Sequence, residues 1–325
     1  MKDASSPPIL SIVIVTWNGK RYALECLESL HAHASGVPSE IIVVDNASTD
    51  GTPEAIRTRF PGVHVVENQA NLGFAKANNI GVALSQGRYV CLINSDVVVY
   101  QGCLDKMLAV METNHDIGIM GPKMICPDGG VGLSVMQLPT VWNTFCAAAA
   151  SHLIFPTSRR FAGFSMRSDG FTGARDVQVV TGWFWMVSRT ALQQVGDLDE
   201  RFFMYGEDID WCHRFRNAGW RVVFCSDAEA LHYGGASSAD TPVRFYVQMR
   251  RANLQYFQKH HGRLGALGYI LAIGVHELAR IVGYSMSYCC DRSRRPEAGE
   301  KVRRSLSCLR WLVGGSSWMA RQAVE

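Results

Sequence analysis

Apolar and polar positions fall in blocks along the first hundred residues. Residues 9–16 (ILSIVIVT), 41–44 and 89–93 are short, mostly apolar runs. The first is rich in β-branched side chains and apolar on both faces, as a central parallel strand should be, and 63–66 (VHVV) reads as a further strand. Between them, 21–31 carries Leu24, Leu27 and Leu30 at helical spacing, a second helix opens around Pro53, and 74–85 reads as a third. Strands alternating with helices predict an α/β protein with a mostly parallel, doubly wound sheet flanked by helices. Each run ends in a polar turn: Thr16-Trp17-Asn18-Gly19, then Asp45-Asn46, then Asn71-Leu72-Gly73, then Asn94-Ser95-Asp96. Ligands of such sheets bind outside the carboxyl ends of the strands. The fold therefore brings Asn18, Asp45, the 71–73 turn and Asp96 to one edge.

After Asp96 the pattern loosens. Residues 104–112 read as a helix, 117–120 as a strand and 126–132 as a turn, while 139–175, with Arg159, Arg160, Arg167 and Arg175, has no regular period and reads as an excursion over the active face. Order returns at 177–188, where Gly182 marks a close approach to the backbone. The helix expected over 207–217 opens with Glu207, Asp208 and Asp210. Acids there suit the helix dipole, and a carboxylate beside Phe202, Phe203 and Trp211 is also a candidate general base. Short strands at 222–224 and 229–232 end in His232 ahead of a glycine turn, where a metal ligand could sit. Helices are expected at 241–261 and 263–290. These helices and the basic tail that follows make a C-terminal helical extension (239–325) beside a main domain of 1–238.

Composition narrows the chemistry. A net charge of +3 argues against nucleic acid as a partner, and ten cysteines without CxxC spacing fit reduced thiols in a cytoplasmic protein. No secretory signal is expected. The apolar run 264–275 stops at His276-Glu277 and Arg280, so a spanning helix is not expected. A helix lying on a membrane stays open, and the basic tail, interleaved with Leu and Trp, reads either as a solvated charged face or as an amphipathic segment on an anionic inner leaflet. Absence of GxGxxG and of GxxxxGK[ST] excludes the usual dinucleotide and P-loop sites. Asp96 with Asn94 offers oxygen ligands suited to Mg²⁺ or Mn²⁺.

Seven ordered blocks carry a resemblance: SIVIVTWNG (11–19), IIVVDNASTDGT (41–52), NLGFAKANNIG (71–81), LINSDV (92–97), TGWFWMVSR (181–189), FFMYGEDIDWCHR (202–214) and the segment around His232. In order and spacing the chain resembles the inverting glycosyltransferases of family 2, which have the GT-A fold, and among them the rhamnosyltransferase-like branch. The resemblance implies a nucleotide pocket on Thr16, Trp17, Asn18, Asp45, Asn71, Gly73, Asn78, Asn94 and Ser95, with Asp45 accepting a pyrimidine N3–H. It implies a divalent metal on Asp96, His232 and Asn94, a sugar site at Gly182 and Trp183, and a base in the pair Glu207-Asp208, with Asp208 preferred. The first position of the DxD metal motif is Asn94, a weaker ligand than Asp. The implied reaction is single displacement from dTDP-L-rhamnose or a UDP-sugar onto a growing cell-surface or lipid-linked glycan. A nucleotidyltransferase would need a Gly-rich, Arg-bearing loop after the first strand, which 16–20 lacks, and a non-catalytic sugar-nucleotide-binding module would not need Asp96, Glu207-Asp208 and His232 together.

Overall fold

Each of the four runs at 9–16, 41–44, 63–66 and 89–93 forms a strand in the computed structural model, which describes residues 7–149, 151, 155, 158, 161, 163, 170–234 and 242–314. Arg159, Arg160 and Arg167 of the expected excursion, and the end of the basic tail with Trp318 and Arg321, lie outside the described residues. In chain order the elements are β1 (Leu10–Thr16), α1 (Lys20–Ala32), β2 (Ser39–Asp45), α2 (Thr52–Arg59), β3 (His64–Glu67), α3 (Phe74–Leu84), β4 (Tyr89–Asn94), β5 (Val97–Val99), α4 (Cys103–Thr113), β6 (Ile117–Ile125) and β7 (Val135–Met136). They continue with α5 (Val141–Ala148), β8 (Ala174–Asp176), β9 (Val179–Val180), β10 (Phe184–Ser188), α6 (Arg189–Val195), α7 (Glu207–Asn217), β11 (Arg221–His232), α8 (Pro242–His260), α9 (Gly262–Cys290) and α10 (Arg295–Gly314).

Chain contacts divide these into two units. The first holds residues 1–138, 165–203 and 207–237, and the second holds 139–164, 204–206 and 238–325. The expected boundary near 238 is there, but two earlier segments join the C-terminal helices.

In the first unit, nine described strands form one sheet in the order β3-β2-β1-β4-β10-β6-β11-β5, with β8 on β11. The β3-β2-β1-β4 half is parallel, as expected. The other half is mixed: β10 runs antiparallel to both β4 and β6, β11 is parallel to β6, and β5 and β8 are antiparallel to β11. The sheet is thus parallel through β3-β2-β1-β4 and mixed beyond it, because β10 enters from the opposite direction after a long excursion. The two short strands expected near 222–232 are one strand, β11, with an irregular register between Cys225 and Glu229. Residues 177–188 are two strands broken at Thr181–Trp183. Leu27, Leu30, Met107 and Met111 pack with Leu10, Ile12 and Ile14 of β1 and with Tyr89, Cys91 and Ile93 of β4 on one face of the sheet, while Ile42, Val44 and Ala77 pack on the other.

The second unit is helical. All ten cysteines are free thiols, with Cys289 and Cys290 exposed. Among the described residues α9 is the one helix long and apolar enough to cross a membrane. His276, Glu277 and Arg280 do not end it, because all three lie on faces other than the exposed apolar one.

Candidate active site

The parallel half of the sheet aligns its strand ends by register. Thr16 pairs with Asp45 and Val15 with Asn94, so the three oxygen-bearing ends share one edge. Thr16 and Asp45 are each 1% exposed. Asp45 accepts the Ser48 N–H through Oδ2 at 2.7 Å. Its Oδ1, Thr16 Oγ1, Asn94 Oδ1 and Glu207 Oε2 are buried without a hydrogen-bond partner. In the first unit only Ser35 joins these four among the described residues. Buried polar atoms are rarely left unsatisfied, so this clustering on predicted site residues points to a polar ligand.

The loops that follow the strands are tied to one another. Asn18, at φ 47°, donates its N–H to Ser48 Oγ (2.8 Å) and accepts the Thr49 N–H (2.8 Å). Lys20 N–H reaches Asp50 Oδ2 at 3.0 Å. Asn18 thus positions the loop after β2. Trp17 beside it is 37% exposed. A methyl group on Gly19 would meet Thr16 Oγ1 at 3.6 Å and Ser95 Oγ at 3.9 Å, which places Ser95 over the first loop.

Asn46, which the sequence did not mark as a site residue, joins the second loop to the third. Its Nδ2 donates to the Gly73 carbonyl (3.2 Å), and its Oδ1 accepts from Asn68 Nδ2 (2.9 Å) and the Leu72 N–H (3.4 Å). Asn71 Oδ1 accepts the Gly73 N–H at 3.0 Å. Asn78 is buried one turn into α3, with its amide donating to the Phe74 carbonyl (2.9 Å). Phe203 was likewise not foreseen: its carbonyl accepts the Phe74 N–H at 2.7 Å and closes over Gly73.

The metal-ligand candidates do meet. The β5–β11 register pairs His232 with Val97, setting the imidazole beside Asp96. His232 Nε2 lies 3.1 Å from Asp96 Oδ1 and 3.4 Å from Asn94 Nδ2. Tyr233 N–H is held by the Asp96 carbonyl at 3.0 Å. Trp183 stacks on His232, with ring centroids 5.4 Å apart, and its carbonyl accepts the Asn94 N–H. Among the described residues no three His, Cys, Asp or Glu side chains converge. The set is one carboxylate, one imidazole and the orphaned Asn94 Oδ1. It fits a hard divalent ion that completes its shell with phosphate oxygens.

The 181–183 turn links this cluster to the acidic helix start. A Cβ on Gly182 would lie 3.0 Å from the Trp185 ring and 3.3 Å from Asp208 Cβ, so glycine is needed for Asp208 to approach. Trp185 packs between Phe74 (6.3 Å) and Trp211 (5.4 Å), fixing α3 and α7 against β10. The three carboxylates at the start of α7 differ. Asp210, wholly buried, is paired with Arg214 at 2.9 Å, and Arg214 also donates to the carbonyls of Val195 and Asp197. Asp208 is half-buried and accepts the Ile209 N–H. Glu207 is buried, and burial first, then the charge of Asp208, pushes its carboxyl well above the usual carboxylate range.

The profile of the family described as "Glycosyl transferase family 2" matches residues 11–196. An N-acetylglucosaminyl-diphospho-decaprenol L-rhamnosyltransferase of Mycobacterium tuberculosis is 30% identical over 265 residues, 78% of this chain and 85% of that protein. A low-salt glycan biosynthesis hexosyltransferase of Haloferax volcanii is 24% identical over 227 residues, 69% of this chain and 66% of its own. Among solved structures, a mannosyltransferase from Pyrobaculum calidifontis in complex with GDP-Man and Mn²⁺ is similar with a TM-score of 0.54 at 14% identity, covering 94% of this chain and 88% of that one. A structure of GalNAc-T7 with UDP, GalNAc and Mn²⁺ has a TM-score of 0.54 at 15% identity over 76% of this chain and 48% of that one. At these identities the likeness is one of fold, the GT-A architecture.

Proposed function

The chain belongs to glycosyl transferase family 2 and is a glycosyltransferase, and from that premise we propose that it moves L-rhamnose from dTDP-L-rhamnose to a lipid-linked glycan, in the cytoplasm and with inversion. Support for the sugar is the 30% identity to an L-rhamnosyltransferase. The observation that carries the site is the set of orphaned acceptors on Thr16, Asp45 and Asn94 along one sheet edge, with Asp96 and His232 beside them.

In this reading Asp45 Oδ1 accepts the N–H of a pyrimidine base, Trp17 covers it, and the 71–73 turn lines the pocket. Asp96, His232 and Asn94 Oδ1 would hold Mg²⁺ or Mn²⁺, which when bound neutralises the donor diphosphate. Asp208 takes the proton of the acceptor hydroxyl. That oxygen forms its bond to the anomeric carbon as the bond to the diphosphate oxygen breaks, and the electron pair leaves with the diphosphate. Glu207 is the poorer base, because burial keeps its proton on. Gly182 and Trp183 border the sugar, next to both Asp208 and His232.

The test is calorimetric titration with dTDP, UDP and GDP, with Mg²⁺, Mn²⁺ or chelator, on the wild type and Asp96→Ala. The expected result is metal-dependent binding, tightest for dTDP and lost in Asp96→Ala. Asp208→Asn should keep donor binding and lose about 10²–10⁴-fold in turnover, the scale of a positioned base. Tighter binding of UDP would reassign the donor. No pyrimidine binding, or full activity of Asp208→Asn, would sink the reading.

A further inference from the structure

The C-terminal unit turns its charges inward and its apolar side chains outward along α9. Between Leu264 and Cys290 the helix carries two charged residues, Glu277 and Arg280. Glu277 is fully buried, 3.3 Å from Arg250 of α8, and Arg280 lies 3.8 Å from Glu277 and 3.4 Å from Ser305 of α10. On the other side Leu264, Leu271, Val275, Leu278, Val282 and Met286 are each more than half exposed. At about 100° and 1.5 Å per residue these six share roughly 80° of arc over about 33 Å. A surface helix of a water-soluble protein puts its charges on that face.

The stripe is widened by α5. Val141 sits where a Cβ of Gly268 would be 2.9 Å away, and the Ala148 carbonyl lies 3.0 Å from His276 Nδ1, so α5 runs alongside α9. Its Trp142 and Phe145 are exposed and stacked, 6.5 Å between centroids. Both ends of the stripe are cationic: Arg263 is exposed at one, and Arg292, Arg294 and Arg295 at the other. Arg295 lies over the half-exposed ring of Tyr288 at 5.5 Å, a cation with an amphipathic ring as found at headgroup depth. Across 242–314 there are thirteen Lys and Arg against four Asp and Glu.

We infer that this face docks on an anionic phospholipid bilayer, with α9 lying in the plane of the interface. The apolar stripe enters the outer acyl region and the flanking arginines meet lipid phosphates. Lying in the plane fits better than spanning, since the side of α9 opposite the stripe packs on the charged helices α8 and α10. A second copy fits less well, because pairing two such faces in either direction brings arginines against arginines, whereas an anionic leaflet accepts both ends. This deepens the lipid side of the reading above, but it stands on the C-terminal unit alone and is tested without turnover.

The experiment is flotation of the full chain with vesicles of phosphatidylcholine alone or with roughly a third phosphatidylglycerol, at about 0.1 M salt, where screening acts over about 10 Å. The protein should float with the anionic vesicles, several-fold less at higher salt. Leu271→Glu/Leu278→Glu should lower partitioning at least tenfold, and Arg294→Glu/Arg295→Glu should remove the preference for anionic lipid. Circular dichroism checks the fold, and Leu271→Gln/Leu278→Gln serves if the first pair does not fold. Absent flotation, flotation indifferent to these changes, or a concentration-dependent dimer broken by them in sedimentation velocity would each overturn the inference.

Discussion

Glu207 and Asp208 are neighbours in the chain, but only one of them can be a carboxylate cheaply. Glu207 is desolvated, faces the charges of Asp208 and Asp210, and leaves Oε2 without a partner. Its raised value has a consequence for stability. As pH rises through the ordinary carboxylate range the unfolded chain releases this proton first, so the folded state binds more protons and loses stability until its own raised value is passed. Glu207→Gln removes the titration. Its thermal midpoint should therefore fall less than that of the wild type between about pH 5 and pH 8. Equal falls in the two proteins would mean that Glu207 is not held protonated.

At the scale of elements, the site is a meeting of loops, and the third loop depends on one residue. Gly73 has φ 85°, and a Cβ there would lie 2.5 Å from the Phe203 carbonyl oxygen, which also accepts the Phe74 N–H. Gly73→Ala meets both the left-handed backbone and this backbone clash, which together cost about 1–3 kcal/mol or more. A lowered melting midpoint with weakened donor-nucleotide binding is expected, and unchanged values for both would show that the turn can relax. Such contacts mark the limit of what was legible in the chain. β1, β2 and β4 were readable because a strand buried on both faces leaves a continuous apolar run that ends where the sheet ends. Asp45 and Asp96 followed from those ends. β5 was not, because three residues after the Asn94-Ser95-Asp96 turn carry no period of their own. The single strand β11 read as two because its register slips between Cys225 and Glu229. Asn46 and Phe203 act through backbone groups 27 and more than a hundred residues away, which no local pattern records. His232 was visible as a histidine at a strand end, while its partner Asp96 is set by the pairing of β5 with β11.

At the scale of the whole molecule, a net charge of +3 hides the basic excess of 242–314, and that excess has a buried centre. Glu277 sits wholly inside the C-terminal unit, accepting from Tyr246 Oη at 2.5 Å with Arg250 at 3.3 Å and Arg280 at 3.8 Å. Burial pushes the Tyr246 hydroxyl up to about 12, so it stays a donor to Glu277 across the physiological range. Both guanidinium groups also lie over the Tyr246 ring, at 4.9 and 5.8 Å. One carboxylate thus bridges two arginines whose side chains are 13% and 25% exposed, and offsets half of their charge. Removing a single member of a buried ionic group leaves uncompensated charge and costs about 3–5 kcal/mol, whereas replacing the group with apolar residues is often near neutral. Glu277→Gln should therefore lower the melting midpoint sharply, and Glu277→Gln/Arg250→Met should recover much of the loss. If the double variant melts no higher than the single one, charge burial is not what Glu277 relieves, and its role reduces to the Tyr246 hydrogen bond. Recovery would show why α9 can spend its charges inside and keep its outer face apolar: the pairing that makes those charges tolerable is internal to the unit.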